Sequence, residues 1–308
     1  MNLLLYKRMR KILRAWAILL LFQMGFANAG GVNVVVVLSE NDGAYREYAD
    51  VLASKLATKN ITLSIIYADQ TVSEADLVIA AGMKAAASAA KARPKALLAV
   101  LVPREGYVKL QSEYPEYFKD GASMQSAIYL DQPYKRQLAL IAAALPEARS
   151  VAVLYTRPPG DINILRSLAA GRKLNLHERA YTANFSLYSV LQDVLLSSNV
   201  LLALPEEEIY NTATIRNILL ATYRNKVPLV GFSPAYVKAG ALCAVYSTMP
   251  QIASQSAAIV LEHADSKTLP AAQYAREFEV AVNAQVARSL GITIRSAEKL
   301  HGEMEKSP

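Results

Sequence analysis

Short continuous runs of apolar residues alternate along this chain with longer segments in which apolar residues recur every three or four positions. The first run, Asn33 to Ser39 (NVVVVLS), is rich in β-branched residues, as is typical of strands buried on both faces. Helical spacing from Ala44 to Leu56 predicts a helix, and Ile61 to Ala68 predicts a second strand. Strand, helix and strand in this order indicate right-handed parallel crossovers, and hence an α/β sheet covered by helices on both faces.

The same order of elements occurs twice. The segment that begins at Val32 (VNVVVVLSENDGAYREYADVLASKL) has a counterpart that begins at Ser150 (SVAVLYTRPPGDINILRSLAAGRKL): each is a strand, a polar loop with glycine, and a helix. Further strand segments follow in the same order in both halves. Identity between the halves is low, so the repeat is one of architecture. It predicts two α/β lobes, each built on a doubly wound parallel sheet.

The lobes do not account for the whole chain. We expect residues 30–131 to form the first lobe and residues 132–247 the second, with 132–149 carrying a connecting helix. Segments 248–276 and 277–308 exceed what the second repeat needs. We therefore expect the chain to return to the first lobe over 248–276 and to the second over 277–308. The polar tail from Ser296 to Pro308 is expected to be frayed.

The first 29 residues have the pattern of a cleaved secretory signal peptide. Five basic residues up to Arg14 precede an uncharged apolar stretch, and Ala27-Asn28-Ala29 is a small-x-small cleavage site. The apolar stretch is about a dozen residues, shorter than the roughly 20 of a spanning helix, and no cysteine near the cleavage point could carry a lipid. Cleavage after Ala29 leaves 28 basic against 26 acidic residues, so the formal charge of +7 falls to +2. The charge therefore gives little support to nucleic-acid binding.

The sequence carries no recognisable catalytic pattern. Glycine-rich nucleotide loops, HExxH and GxSxG are all absent. His177, His263 and His301 are far apart, and Cys243 is the single cysteine, so we expect no disulfide, no metal site and no cofactor. The acidic run Glu206 to Glu208 follows a strand and is explained by the dipole of a helix that it would open. We expect no enzyme, and a secreted hydrolase is the least favoured class because no nucleophile and base can be paired.

Polar loops follow the predicted strands, and ligands of open α/β sheets bind at the carboxyl ends of strands. The candidate ligand-binding residues of the first lobe are Ser39, Glu40, Asn41, Gly43, Tyr45, Gly82, Met83 and Arg104. Those of the second lobe are Thr156, Arg157, Asp161, Glu206, Tyr210, Phe232 and Ser233. If the lobes face one another, these residues line one cleft.

Individual roles can be predicted for some of these residues. Hydrogen bonds to a ligand are expected from Asn41, Thr156 and Ser233. Stacking on an apolar part of the ligand is expected from Tyr45, Tyr210 or Phe232. Arg157 could pair with a carboxylate through its planar guanidinium. Ordinary explanations stay open, because Tyr45 would also suit a core-facing helix position and Arg157 a solvated loop.

Three segments carry a family resemblance: YKRQLALIAAALPEARSVAVLYTRPPG (134–160), VPLVGFSPAYVKAGALCAVYS (227–247) and FEVAVNAQVARSLGITI (278–294). In order and spacing the chain from Tyr134 onward resembles the ABC transporter substrate-binding proteins of the tryptophan/tyrosine-binding type. The resemblance implies a type I periplasmic-binding fold, in which two doubly wound lobes are joined by a three-crossing hinge and close on a solute. It also implies a monomeric periplasmic protein that captures a small amino-acid-like or aromatic molecule and delivers it to an inner-membrane ABC permease.

The first lobe departs from the family pattern at two loops. Typical members carry a small hydroxyl residue and proline after the glycine of the third strand, where this chain has Met83-Lys84. They also carry a Thr-Asp-Pro-like turn after the fourth strand, where this chain has Val102-Pro103-Arg104. The departures support an alternative, a periplasmic regulatory or scaffolding protein that keeps the fold and binds another protein. A cleft filled by Met83 and Arg104 would favour that alternative.

Overall fold

The computed structural model describes residues 31–41, 43–119, 124–182 and 184–306, and the predicted signal peptide lies outside them. The strands in these ranges are β1 (Val32–Leu38), β2 (Ile61–Tyr67), β3 (Leu77–Ala81), β4 (Leu97–Val102), β5 (Gln125–Tyr129), β6 (Ser150–Tyr155), β7 (Asn175–Ala180), β8 (Val200–Leu202), β9 (Leu229–Gly231), β10 (Cys243–Tyr246), β11 (Gln273–Tyr274) and β12 (Glu279–Val282).

The helices are α1 (Gly43–Leu56), α2 (Met83–Ala92), α3 (Arg104–Glu113), α4 (Pro115–Phe118), α5 (Tyr134–Ala144), α6 (Ile162–Gly171), α7 (Leu187–Leu195), α8 (Ile215–Arg224), α9 (Pro234–Ala239), α10 (Met249–Ser266), α11 (Ala284–Ser289) and α12 (Ala297–Lys306). No helix within the described ranges is long and apolar enough to cross a membrane.

The strands form two six-stranded sheets with the same strand order. The first sheet has the order β11-β5-β4-β3-β1-β2, with parallel pairing throughout. The second has the order β12-β10-β9-β8-β6-β7, in which only β12 is antiparallel to its neighbour. The two orders correspond strand for strand, so the predicted repeat of architecture is a repeat of strand order that differs only in the direction of the edge strands β11 and β12. The predicted fold class, two doubly wound α/β lobes, is confirmed.

The central strands of each sheet are buried on both faces because they are apolar on both faces. In β1, Val34 and Val36 lie in one core of the first lobe, whereas Val35 and Val37 lie in the core on the opposite face. A strand places successive side chains on opposite faces, so a run of valines supplies two cores at once. Two further cores flank the second sheet. The loops at the carboxyl ends of the strands are thereby left to form the edge where the lobes meet.

The chain passes between the lobes three times, after β5, after β10 and after β11. Between the second and third passages α10 packs on α1, and β11 extends the first sheet; β12 then extends the second. A hydrogen-bonded chain joins the three crossings. Gln132 Nε2 donates to Ser247 Oγ at 2.9 Å, and Ser247 Oγ donates to the carbonyl of Glu277 at 2.6 Å. The buried Ser247 hydroxyl therefore ties the hinge together.

Arg136 adds a second tie across the hinge. Its guanidinium donates to the carbonyls of Ala275 and Arg276, both at 3.1 Å, and also to the side-chain oxygen of Gln132. The same guanidinium lies 4.4 Å from the ring centroid of Phe278, a cation–π contact. The first and third crossings are thus held side by side.

The C-terminal segment differs from the expected frayed tail. Residues 297–306 form α12, and Leu300 and Met304 are buried against the second lobe, where they join the core that contains Leu138 of α5. The expectation was wrong because the segment is polar in composition, yet its few apolar residues fall four positions apart on one helical face. Residues 307 and 308 lie outside the described ranges.

Candidate functional site

A cavity of about 490 Å³ lies between the lobes at the carboxyl ends of strands from both sheets. Parallel α/β sheets place their ligand sites at this edge. The first lobe lines it with Ala44, Glu47, Pro103, Leu130 and Asp131. The second lobe and the second crossing line it with Pro205, Phe232, Ser233, Pro234, Tyr246, Ser247, Thr248 and Met249. The volume suits a small molecule, and most of the lining side chains are apolar.

Phe232 forms the aromatic wall of the cavity, and two tyrosines pack against the side of its ring that faces the second lobe. Its ring centroid lies 4.4 Å from that of Tyr236 and 6.5 Å from that of Tyr210, the latter at nearly a right angle. Tyr236 donates its hydroxyl to the carbonyl of Tyr210 at 2.7 Å, which fixes the pair. Ser233 follows at the start of α9, but its hydroxyl makes no capping bond to that helix. The Ser233 hydroxyl is therefore available to a ligand in the cavity.

Asp131 is the carboxylate at the opposite wall, where the first crossing begins. Its Oδ1 accepts a hydrogen bond from the backbone N–H of Arg104 at 2.8 Å, so it caps the start of α3. Burial raises the pKa of Asp131 to about 6, against the lowering effect of hydrogen bonds from the backbone N–H groups of Arg104 and of Asp131 itself. The cavity thus contains a poorly solvated carboxyl group.

A narrower cavity of about 40 Å³ continues from this point and contains an ion pair between the lobes. Arg104 Nη1, from the first lobe, lies 3.2 Å from Asp161 Oδ2 in the second and 2.6 Å from Glu105 Oε1. Asp161 is buried, and its Oδ1 accepts from the hydroxyl of Tyr134 at 3.1 Å. Burial alone would lower the pKa of Arg104, but the neighbouring Asp161 carboxylate contributes to raising it. The pair joins the lobes across the cleft.

A β-bulge places Arg104 in this position. The register between β4 and β5 shifts at Leu101, which has φ of +55° and is buried in the core. A leucine in the left-handed region is unfavourable by about 1 kcal/mol or more. The extra residue changes the direction in which the strand delivers Pro103 and Arg104, as bulges beside functional sites commonly do.

We expect Arg104→Ala to shift the equilibrium between closed and open lobes toward the open form by about tenfold. The reason is that Asp161 would lose the cation that attracts it across the cleft. The measurement is a spin-label distance between Ser112→Cys on α3 and Ser189→Cys on α7, which is feasible because the native Cys243 is buried. Lys109→Ala is the matched control, because Lys109 pairs with Glu113 within the same helix. Equal distance distributions for Arg104→Ala and Lys109→Ala would contradict the role of the pair.

Several predicted residues of the first lobe are bonded to neighbouring residues of the same lobe and do not line the larger cavity. Ser39 Oγ accepts from the backbone N–H of Ala85 at 3.0 Å, and Glu40 pairs with Lys84 at 2.9 Å. Asn41 Oδ1 accepts from the hydroxyl of Tyr67 at 2.5 Å and from Arg46 at 3.2 Å. These polar groups are already satisfied within the lobe, because the loop after β1 lies against the loop after β3 and against the end of β2.

Four other predicted residues of this lobe lie beside the same loops. Gly82 has φ of +88°, and a Cβ built there would lie 2.7 Å from the Tyr45 ring. Tyr45 therefore packs over the loop. A Cβ at Gly106, in α3, would lie 2.7 Å from Met83 Sδ, so Met83 fills the space against that helix. Gly43, with φ of +47°, begins α1 one residue before the cavity-lining Ala44.

The predicted residues of the second lobe are divided between cavity, core and surface. Thr156 donates to Glu206 Oε2 at 3.0 Å, and Glu206 reaches the narrower cavity, where burial raises its pKa. Tyr210 is buried in the core behind Phe232, and burial raises its pKa. Arg157 is exposed and lines neither cavity.

The acidic run after β8 also differs from expectation. Glu206 to Glu208 lie on a turn, and the next helix, α8, begins only at Ile215. The prediction of a helix start was wrong because the intervening residues Asn211 and Thr214 form local side-chain turns instead. No group of three or more His, Cys, Asp or Glu residues placed to hold a metal ion occurs in the described part of the chain.

The sequence interpretation missed the residues that the crossings contribute. Leu130 and Asp131 follow β5, and Tyr246 to Met249 begin at the last residue of β10. Both groups line the cavity because the hinge forms its floor. The repeat itself could have identified them, since β5 and β10 are equivalent strands and each precedes a crossing. Glu47 was missed because it lies one turn into α1 and not in the loop before it.

The family model described as ABC transporter substrate binding protein matches residues 127–302. A search of the curated proteins gives no match.

Many solved structures share the fold, and three of them have TM-scores above 0.6 at low sequence identity. A conserved domain protein from Vibrio cholerae is 20% identical, covers 88% of this chain and 98% of its own, and has a TM-score of 0.62. The ABC domain in complex with L-Trp from Streptococcus pneumonia is 14% identical, covers 88% of this chain and 99% of its own, and has a TM-score of 0.63. The third is the ligand-free, open form of a substrate binding protein with adhesive properties from Clostridium difficile. It is 13% identical, covers 87% of this chain and 97% of its own, and has a TM-score of 0.67.

Proposed function

Because this chain belongs to the ABC transporter substrate binding protein family, we propose that it captures one small molecule in the cavity between its lobes for an ABC importer. The cavity itself is the observation that carries the proposal. Both lobes and one crossing line it, so closure of the lobes would enclose a ligand and desolvate it. The ligand would stack on Phe232 and accept or donate a hydrogen bond at Ser233.

An aromatic or otherwise apolar body suits the cavity best. Phe232 and Tyr246 offer aromatic surfaces, and Leu130, Pro234 and Met249 supply apolar contacts. A ring that enters this space would gain burial and offset stacking, which is worth about 0.5–1.5 kcal/mol beyond its buried area. The structural neighbour that holds L-Trp is consistent with an aromatic ligand in this fold.

We place the protein in the periplasm as a monomer, with an inner-membrane ABC permease as its partner. The family membership and the signal-peptide pattern of residues 1–29 support this location. No catalytic role is proposed, because the family binds solutes. The alternative of a periplasmic regulator that binds another protein gains no support from a blocked cleft, since Met83 and Arg104 leave the larger cavity open.

The proposal is tested by a thermal-shift screen of the mature chain against neutral, cationic, anionic and zwitterionic small molecules. We expect at least one ligand to raise the melting temperature, since a ligand at 100 times its Kd adds about 2.7 kcal/mol to the stability. Ser233→Trp places an indole in the cavity, so it should abolish the shift by steric exclusion.

The matched control for this variant is Ser73→Trp. Ser73 is exposed in the loop that enters the amino end of β3, at the sheet edge opposite the cavity. The Ser73→Trp variant should show the same ligand-induced rise in melting temperature as the unmodified chain. The proposal would be contradicted if no small molecule stabilises the chain and if both the unmodified chain and Ser233→Trp capture a protein partner. That result would favour the regulatory alternative.

A further inference from the structure

The ionisable side chains around the cleft are almost all acidic. The larger cavity is lined by the carboxylates of Glu47 and Asp131, and by no lysine or arginine of the described residues. The narrower cavity that adjoins it adds Glu105, Asp161 and Glu206. An anionic ligand group would therefore meet repulsion on entry, whereas a cationic group would be attracted.

Arg104 does not reverse this balance. It lies in the narrower cavity, and its guanidinium is already shared between Asp161 and Glu105. Arg157, which the sequence offered as a partner for a carboxylate, is exposed and lines neither cavity. No basic side chain of the described residues is thus left in the cleft to receive a ligand carboxylate.

Asp131 offers a specific position for a cation. It lines both cavities, so it lies where the apolar space ends and the acidic space begins. Its Oδ1 accepts a hydrogen bond from the backbone N–H of Arg104, and no cationic side chain bonds to this carboxylate among the described residues. An ammonium group placed at Oδ2 would make a charge-assisted hydrogen bond in a poorly solvated environment, where such bonds are strong.

We propose that the cavity takes a small amphipathic amine, with an apolar or aromatic body against Leu130 and Phe232 and its ammonium group on Asp131. The inference rests on the proposed function, because it names the class of solute for the same cavity. An amine without a carboxylate fits better than a free amino acid, whose carboxylate would find no cationic side chain. Ser233 would accept or donate one further hydrogen bond.

The test compares four probes that share a phenyl ring and a two-carbon chain but differ in charge. They are 2-phenylethylamine, 2-phenylethanol, phenylalanine and 3-phenylpropanoate, titrated calorimetrically into the mature chain at pH 7.5. We expect the amine to bind at least tenfold more tightly than each of the others.

The variant Asp131→Asn keeps an oxygen for the N–H of Arg104 but removes the negative charge. Its affinity for the amine should be at least tenfold lower than that of the unmodified chain, while its affinity for the alcohol should change less than twofold. Asp265→Asn, at an exposed site at the end of α10, is the control.

The affinity for the amine should also fall as the pH is lowered from 7.5 to 5, because Asp131 then becomes protonated. The groups that face Asp131 are Arg104, Asp161, Tyr129 and Tyr274. Burial raises the pKa of both tyrosines, so they stay neutral over this range, and the guanidinium of Arg104 stays charged. Every other carboxyl group near the cleft is present in both Asp131→Asn and the unmodified chain, so the comparison between the two isolates Asp131.

Preferential binding of phenylalanine or phenylpropanoate, or an amine affinity that Asp131→Asn leaves unchanged, would overturn the amine assignment and leave the proposed function standing. If none of the four probes binds, the charge of the best ligand from the thermal-shift screen decides in the same way. A cationic ligand whose binding is lost in Asp131→Asn supports the inference, and a best ligand of any other kind contradicts it. If no small molecule binds at all, the proposed function itself fails.

Discussion

Gly82→Ala should lower the free energy of unfolding of the first lobe by about 3 kcal/mol or more. Gly82 has φ of +88° and ψ of +167°, a backbone region that is essentially restricted to glycine, and occupying it with another residue costs of order 1–3 kcal/mol. A Cβ would also lie 2.5 Å from Ser39 Oγ and 2.7 Å from the Tyr45 hydroxyl. The loops after β1 and β3 would have to separate, and with them the start of α1 that lines the cavity.

Thermal or urea unfolding monitored by circular dichroism measures this effect. A loss of this size corresponds to a decrease in Tm of roughly 6 to 12 °C for a protein of 150–250 residues. Gly302→Ala is the matched control, because Gly302 lies in α12 and nothing lies within 4 Å of an added Cβ. That variant should be about 0.5–1 kcal/mol more stable, because alanine favours the helix. A Gly82→Ala protein as stable as the unmodified chain would contradict this role for the glycine.

Asp131→Asn should stabilise the unliganded protein at neutral pH, in contrast to its effect on amine binding. Burial raises the pKa of Asp131 from its ordinary value of 3.8 to about 6, so ionisation of this carboxyl above pH 6 opposes folding. The folded state holds its proton more tightly than the unfolded state, and stability from this group therefore falls as the pH rises from about 4 to about 6. The asparagine avoids this loss in the free energy of unfolding, which is on the order of 2 to 3 kcal/mol at pH 7.5.

Urea unfolding of the unmodified chain and of Asp131→Asn at several pH values measures the difference. We expect it to be largest at pH 7.5 and to approach zero near pH 4, because both proteins then carry a neutral group at position 131. Other carboxyls, including Glu206, titrate in both proteins and cancel in the difference. A variant that is less stable at neutral pH, or a difference that does not change with pH, would show that Asp131 serves the fold. Destabilisation of the fold by a carboxyl that binds a ligand is expected where function and stability compete.

The predictions from the sequence were most accurate where one physical signal dominates. The valine run of β1 and the equivalent run at β6 required strands buried on two faces, and their repetition was enough for the two-lobe fold. The β12 strand is antiparallel to β10, which its short FEVAV pattern does not distinguish from parallel pairing. The α12 helix was missed because two buried residues, Leu300 and Met304, are too few to stand out from a polar composition.

The site was harder to predict because a loop position does not determine what a side chain contacts. Ser39, Glu40 and Asn41 do follow a parallel strand, as expected, but neighbouring loops satisfy their polar groups. Phe232 and Ser233 line the cavity because β9 ends directly at the cleft. The repeat could have indicated the position of Asp131, but its burial and its place between two cavities depend on how the lobes meet.

A crystal structure of the mature chain with its tightest-binding small molecule would locate the ligand directly. We predict one molecule per chain in the cavity between Leu130 and Phe232, within hydrogen-bonding distance of Ser233 and with its charged group on Asp131. Ligand bound elsewhere, for example in the groove on the hinge lined by Arg136, Arg172 and Arg276, with the cavity between the lobes unchanged, would contradict capture of a solute by this cleft.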